Sequence, residues 1–447
     1  METTATYRDR VLTVEPHGIA PIAANERHGR TATLFSLWFS ANMGLPVWLV
    51  GALAIVLGLG FADGVAAILV GNVIGCALLA LTASMGPTIA TPQLPFTRYS
   101  FGARGVYLPA LLNWVSAGGW YAVNSLLGAL ALARLLHLPF AASLLLLTLA
   151  QVLLGVYGYN LIHRFEAISA AVLAVVFLLM TVVGLPKAHL GLASHLPTAD
   201  HVGRFILMST IVASYVFSWS PYAADYARYL PAETAKRNII AAVFAGSFLG
   251  CVWLQVLGAA IATIGLKAAP IDLVVQVMGR FWVPALLAVV LGTIAANALN
   301  IYTGALSLLT LDVPIPRWLS VVAVGTLGSA LALYGAHGLS AKYENFLLLI
   351  SYWIGPWLAI VVADFFLHPG AGTWRRRPGA VIWPGVIAFL IGLAVSVPFM
   401  NSELYVGPLA RALHGADIAY YIGIAVAGVL YVGLCRVARK GASDGTA

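Results

Sequence analysis

Charge is what this sequence has least of. Only 9% of its 447 residues are Asp, Glu, Lys or Arg, 61% are hydrophobic, and the mean hydropathy is +0.92. A soluble domain carries about 25% charged residues, so an ordinary water-soluble fold is excluded. Cysteine is nearly absent: Cys76, Cys251 and Cys435 are the whole supply, and all three fall in apolar stretches. Free thiols are expected, neither disulfides nor a metal site. Enzyme signatures are missing too. There is no HExxH, no GxSxG in a strand–turn–helix context and no GxxxxGK[ST]. No enzyme, no cofactor and no ATP-driven pump is expected, so an ion gradient is the implied energy source. Residues 1–30 are polar and lack the apolar core of a signal peptide, so no cleavage is expected.

Apolar runs are what the chain has instead. Segments 31–57, 64–84, 106–136, 141–160, 164–186, 203–224, 238–265, 282–310, 317–335, 344–367, 379–399 and 416–437 each have about the length that crosses a bilayer as a helix. Twelve crossings make an all-α integral membrane protein whose surroundings are lipid, with both termini on one side. With that side taken as cytoplasmic, 17 Lys and Arg fall inside, among them Arg8, Arg10, Arg164 and Arg375–Arg377, and 7 outside. Basic residues mark cytoplasmic loops. A multi-pass cell-membrane protein with cytoplasmic termini is therefore expected, and its net charge of +8 needs no nucleic-acid partner. The oligomeric state leaves no trace.

The first segment holds Leu34-Phe-Ser-Leu-Trp-Phe-Ser-Ala-Asn-Met-Gly-Leu-Pro46. Pro46 lacks an amide hydrogen, and its ring clashes with the carbonyl four residues back, on Asn42. The helix should break there. Irregular backbone at membrane depth is tolerated only where it lines a protein cavity. The sixth segment repeats the anomaly in Tyr215-Val-Phe-Ser-Trp-Ser-Pro-Tyr222, where Pro221 frees Phe217. The two segments are five apart and cross in opposite directions. Matched interrupted helices are the mark of inverted five-helix repeats with a binding site at the breaks. Ser40, Asn42 and Ser218 are candidate site residues on this ground.

Two further segments carry polar faces. Asn113, Ala117, Trp120, Asn124 and Ala131 share one face of the third at helical spacing. Thr293, Asn297, Asn300, Gly304 and Ser307 form a polar, small stripe on the eighth, which suits a substrate or ion path or hydrogen-bonded helix packing. Gly71 and Gly75 allow close helix approach. The breaker-rich stretch from Gly86 to Gly102 reads as a cytoplasmic loop or interfacial helix with Arg98 and Arg104 near headgroups. Glu166, Asp225, Glu344 and Asp364 sit near segment ends, where pairing with Arg or an interfacial place is the plain reading. An intramembrane carboxylate can also relay a proton.

Read together, several motifs resemble the nucleobase–cation symporters of the purine–cytosine permease type. They are Leu37-Trp-Phe-Ser-Ala-Asn42, Gly71-Asn72, Gly86-Pro87 with Pro92-Gln93, and Arg98 with Phe101-Gly102. They continue with Gly118-Gly-Trp-Tyr-Ala-Val-Asn124, Trp219 to Pro231 and Ala296-Asn-Ala-Leu-Asn-Ile-Tyr302. They run through the first eight segments in order. The resemblance implies a leucine-transporter-like fold. Residues 1–30 would be a cytoplasmic tail, 31–186 and 187–367 two inverted five-helix repeats, and 368–447 two more helices with the C-terminal tail. It implies alternating access around a nucleobase, cytosine or a purine, imported by cation symport. In the family an aromatic on the third helix and one on the broken sixth sandwich the base, which here are Trp120 and Trp219. Amides on the third and eighth bind its edge, which here are Asn124 and Asn297. Sodium-coupled members carry two hydroxyl residues just before the eighth-helix Asn; this chain has Ala295 and Ala296. That departure favours the proton as coupling ion over sodium, with Thr293 as a substitute hydroxyl if the helix is offset. Allantoin, a hydantoin, uracil or a thiamine-precursor pyrimidine would fit the same residues.

Overall fold

The computed structural model describes residues 17–265, 269–335, 339–367 and 379–444. Arg8, Arg10, Lys267 and the Arg375–Arg377 run lie outside the described residues. Apart from one isolated bridge between Asn401 and Val406, the described residues form helices and loops. Among the described residues ten helices are long and apolar enough to span a membrane. The bent pair Thr31–Ala41 and Leu45–Val56 makes an eleventh crossing, and Trp383–Phe399 is a shorter apolar helix. They lie in the order of the twelve expected segments, Trp383–Phe399 being short of spanning length, and are called spans 1 to 12 below.

The packing follows an exchange between two five-helix repeats. Span 1 lies against span 7 (Lys236–Ala262) as span 6 (Thr198–Phe217) lies against span 2 (Phe61–Ala83). Span 3 (Tyr107–Leu136) lies against span 9 (Arg317–Gly335) as span 8 (Trp282–Thr310) lies against span 4 (Phe140–Tyr157). The first half of span 1 meets span 5 (Tyr159–Gly184) as span 6 meets span 10 (Leu339–Leu367). Every such pair maps onto another when five is added. Spans 11 and 12 pack on each other and on span 10, outside this exchange.

Two glycine seams set the close approaches. A Cβ on Gly258 would stand 1.9 Å from the Trp48 carbonyl oxygen, and one on Gly71 2.5 Å from that of Ser209. Small residues are what let backbones meet where lipid gives no hydrophobic driving force. The same two spans, 2 and 7, are joined by Asn72, which donates to Gln255 Oε1 at 2.6 Å.

Both helices break where the prolines lead one to expect, and the structure adds on which side of each break the proline lies. The first half of span 1 ends at Ala41, Gly44 is extended (φ −146°, ψ 163°), and Pro46 is the second residue of the second half, bent by 57° from the first. Pro221 likewise sits in the 3-10 turn Ser220–Tyr222, downstream of the end of span 6 at Phe217. Proline is favoured in a helix's first turn, where its missing N–H is one of the orphans anyway. It starts the second half, and the break precedes it.

The stretch from Gly86 to Gly102 is more buried than a plain loop. It folds into short helices, Gly86–Ile89, Gln93–Phe96 and Arg98–Phe101, with Gln93 through Thr97 buried. Arg98 reaches Asp312 at 2.7 Å and the Thr310 carbonyl at 2.9 Å, so its charge has a partner within the protein. Residues before span 1 are strapped across the same end. Arg27 donates to the Pro87 carbonyl at 2.8 Å, Gly29 N–H to that of Tyr229 at 2.9 Å, and buried Arg228 to that of Gly18 at 3.1 Å.

Candidate functional site

Trp120 stands midway along span 3, and Trp219 stands in the turn that follows span 6. Their rings lie 11° from parallel with centroids 6.4 Å apart, and each residue is 3% exposed. Carbon atoms in contact sit about 3.5 Å apart, so a flat ring held between two others needs about 7 Å. Other aromatics fix both planes edge-on. Tyr215 and Phe346 meet Trp120 at 5.4 and 5.2 Å, while Trp38 and Tyr222 meet Trp219 at 5.9 and 5.2 Å. Trp219 Nε1–H is buried with no acceptor among the described residues.

The amides are placed less uniformly. Asn124 lies one turn beyond Trp120 on the same face and donates to the Trp120 carbonyl at 2.9 Å. Asn297 is committed to neighbours. Its Nδ2 donates to the Tyr121 carbonyl at 3.1 Å and to Ser125 Oγ at 2.9 Å, and its Oδ1 accepts from Asn300 Nδ2 at 3.0 Å. Tyr222 donates to Asn300 Oδ1 at 3.2 Å, and Ser125 donates to Gln151 Oε1 at 3.2 Å. One polar chain thus links the broken sixth span to spans 8, 3 and 4. Asn113 donates to Ser307 Oγ at 2.8 Å further along. The polar stripes of spans 3 and 8 therefore face each other, as polar atoms in hydrocarbon must.

Ser218 returns its hydroxyl to the Tyr215 carbonyl at 2.7 Å, next to Trp219. Asn42 donates to the Trp38 carbonyl at 2.7 Å, and its Cβ stands 3.3 Å from where a Cβ on Gly250 would be. It faces span 7 and does not join the tryptophan pair. Ser40 donates its hydroxyl to Glu166 Oε2 of span 5, both residues being fully buried. The acidic candidates differ sharply. Asp225 accepts from Gln93 N–H at 2.8 Å through Oδ1 and from Thr303 Oγ1 at 2.6 Å through Oδ2. Asp364 accepts from Ser100 at 2.8 Å and Tyr431 at 2.7 Å. Glu166 Oε1 is buried with no partner among the described residues.

The eighth-span register is fixed by its neighbours. A Cβ on Gly292 would stand 2.5 Å from the Met43 carbonyl, so this face of span 8 looks at the break in span 1. Thr293 points elsewhere. Its hydroxyl donates to the Val290 carbonyl at 2.9 Å and packs where Gly128 of span 3 leaves room. It does not stand in for the hydroxyls missing at Ala295 and Ala296. Sequence reasoning had no signal for Phe346, which arrives from span 10. Trp38 was visible in the first-segment motif, but not as an edge against the site. No group of three or more His, Cys, Asp or Glu side chains that could hold a metal occurs among the described residues.

Comparison with known proteins adds the following. A family described as permeases for cytosine/purines, uracil, thiamine and allantoin matches residues 21–423. The Bacillus subtilis protein YxlA, named among the purine-cytosine permeases, is 31% identical over 443 residues, covering 95% of this chain and 96% of that one. The purine-cytosine permease fcyB of Emericella nidulans is 28% identical, covering 94% and 88%. Among solved structures, Mhp1, a nucleobase-cation-symport-1 family transporter closed around bromovinylhydantoin, is similar at TM-score 0.78 and 19% identity, covering 96% of each chain. Its inward-facing form is similar at 0.69. These structures share the fold, including the two inverted repeats.

Proposed function

The chain belongs to the permeases for cytosine/purines, uracil, thiamine and allantoin, and from that premise we propose that it imports a nucleobase, cytosine or a purine, by proton symport with alternating access. The observation that carries the reading is the parallel pair Trp120 and Trp219 at 6.4 Å. A base offers two π-faces, and stacking on an aromatic is worth roughly 1–3 kcal/mol per base. Trp219 Nε1–H and the Asn124 amide lie beside the pair as partners for the base edge, since an amide can donate and accept together. Asn297 serves chiefly by holding spans 3 and 8, and it reaches the base if Asn300 releases its Oδ1. Ser218 and Ser40 line the breaks, where the two halves of each span can change angle.

The repeats are residues 31–186 and 187–367, the termini are cytoplasmic, and the cell membrane is the site of action. Proton coupling is favoured over sodium by the methyl side chains of Ala295 and Ala296, and by the turn of Thr293 away from the first-span break. Uptake of radiolabelled cytosine into proteoliposomes, with a competition panel of adenine, guanine, uracil, allantoin and a hydantoin, tests the reading. Competition by cytosine and purines alone is the expected result. A second flat heterocycle is the alternative that the family's breadth and the hydantoin in the similar structure favour, and it would appear as the stronger competitor.

A further inference from the structure

Of the four acidic groups that the sequence places in or near spans, Asp225 and Asp364 have protein donors on both oxygens, and Glu344 stands at the start of span 10. Glu166 is different: it is fully buried, one oxygen accepts from Ser40, and the other has no partner among the described residues. One turn earlier on the same span, His163 is also buried, with neither ring nitrogen partnered among the described residues. Residues three apart share a helix face. The His163 ring stands 4.2 Å from that of Tyr159 and 6.0 Å from that of Tyr226. Beyond Tyr159 comes His28 of the N-terminal strap, 5.9 Å away, with Nε2 3.1 Å from Asn160 Oδ1.

Among the described residues neither side chain forms an ion pair: Arg164 beside His163 is exposed, and Arg228, in the buried turn after span 6, stands 5.1 Å over the Tyr229 ring. Within the helices packed on span 5, the first half of span 1 has no titratable residue, span 8 has Tyr302 and span 4 has Tyr157. Span 7 has Cys251, with Lys236 turned toward Phe365 and Phe366 and Arg237 exposed near its start. Lys187 and Asp272 lie at the opposite end of span 5 from His163. A buried charge without a partner is costly, and buried unpaired polar atoms are rare enough to require a reason.

We propose that Glu166 carries the symported proton and that His163 passes it to the cytoplasmic side; this rests on the transport reading above. With Glu166 ionised, Ser40 donates to it. When a proton from the outer phase forms an O–H bond on the carboxylate, that group donates back to Ser40 Oγ. The Ser40 proton then turns to the Leu37 carbonyl, 3.4 Å away. Ser40 is in the last turn before the break at Asn42–Gly44, so protonation reverses the hydrogen bond that ties span 5 to the hinge of span 1. Facing inward, the O–H bond breaks, a ring nitrogen of neutral His163 takes the proton, and it passes on to water. The carboxylate is restored, one positive charge has moved in, and nothing is oxidised or reduced.

The test uses the full chain in proteoliposomes with radiolabelled cytosine and adenine as probes. In the wild type, an inward gradient of one pH unit drives up to about tenfold accumulation for one proton per base. Glu166→Gln is expected to accumulate to a ratio near one while still exchanging internal for external base, and to lose base-induced proton uptake. Gradient-driven accumulation by Glu166→Gln equal to wild type would overturn this proposal alone. Wild-type vesicles that exchange neither probe would overturn the transport reading first and this one with it. If Glu166→Gln does not reach the membrane, Glu166→Asp decides. A displaced midpoint in the pH profile of uptake supports the assignment, and an unchanged profile overturns it.

Discussion

Asn297 of span 8 donates to Ser125 of span 3 at 2.9 Å while its own oxygen accepts from Asn300, so this side chain ties one repeat to the other. This sets it apart from Asn124, whose amide donates within its own helix to the Trp120 carbonyl at 2.9 Å. Leaving a buried partner unsatisfied costs roughly 1–3 kcal/mol. Asn297→Ala should therefore lower thermal stability in detergent as well as base binding. Asn124→Ala should weaken binding about 5- to 150-fold with the melting temperature unchanged. Wild-type affinity in both variants would remove the amides from the site.

The tryptophans give a second expectation. Replacing either Trp120 or Trp219 by Ala removes one stacking face, roughly 1–3 kcal/mol, and Phe should restore part of it. Equilibrium binding in nanodiscs is the measurement. An Ala variant at either position that binds as tightly as wild type would show that the base lies elsewhere.

Coupling has a sign that can be read directly. A proton symporter gains driving force as external pH falls at fixed internal pH. The membrane potential adds about 2.3 kcal/mol per charge per 100 mV. Uptake should rise with external acidity, vanish with a protonophore and ignore replacement of sodium by choline. A sodium requirement that survives collapse of the proton gradient would point back to the face of span 8 at Gly292, Ala295 and Ala296.

Topology can be mapped by single cysteines in a background without Cys76, Cys251 and Cys435. Ser402 is a poor labelling position, being 6% exposed, whereas Leu404 beside it is 74% exposed. Cysteines at Leu404 and at exposed Ala193 should react with an impermeant maleimide from outside, and one at exposed Ala232 should not. The reverse pattern would turn the molecule over in the membrane.

Much of this architecture was legible from the chain alone. Runs of apolar residues of spanning length fix where helices cross, because hydrocarbon excludes charge and demands internal backbone hydrogen bonds. Matched Ser and Pro residues five spans apart located both breaks to within a few residues, and the family motifs named Trp120 and Trp219. What the sequence left open at Pro46 and Pro221 was the side of the break: a proline ends one helix or begins the next, and spacing alone does not say which.

What only the tertiary structure decided is who meets whom. That Thr293 turns to Gly128 and not to the span 1 break depends on the rotation of span 8. That Glu166 ends beside Ser40, 126 residues away, depends on span 5 lying against the first half of span 1. A polar residue in a membrane helix must face inward, and the sequence says so. Its partner is chosen by helix rotation and approach, which glycine seams and the exchange of two repeats set in three dimensions.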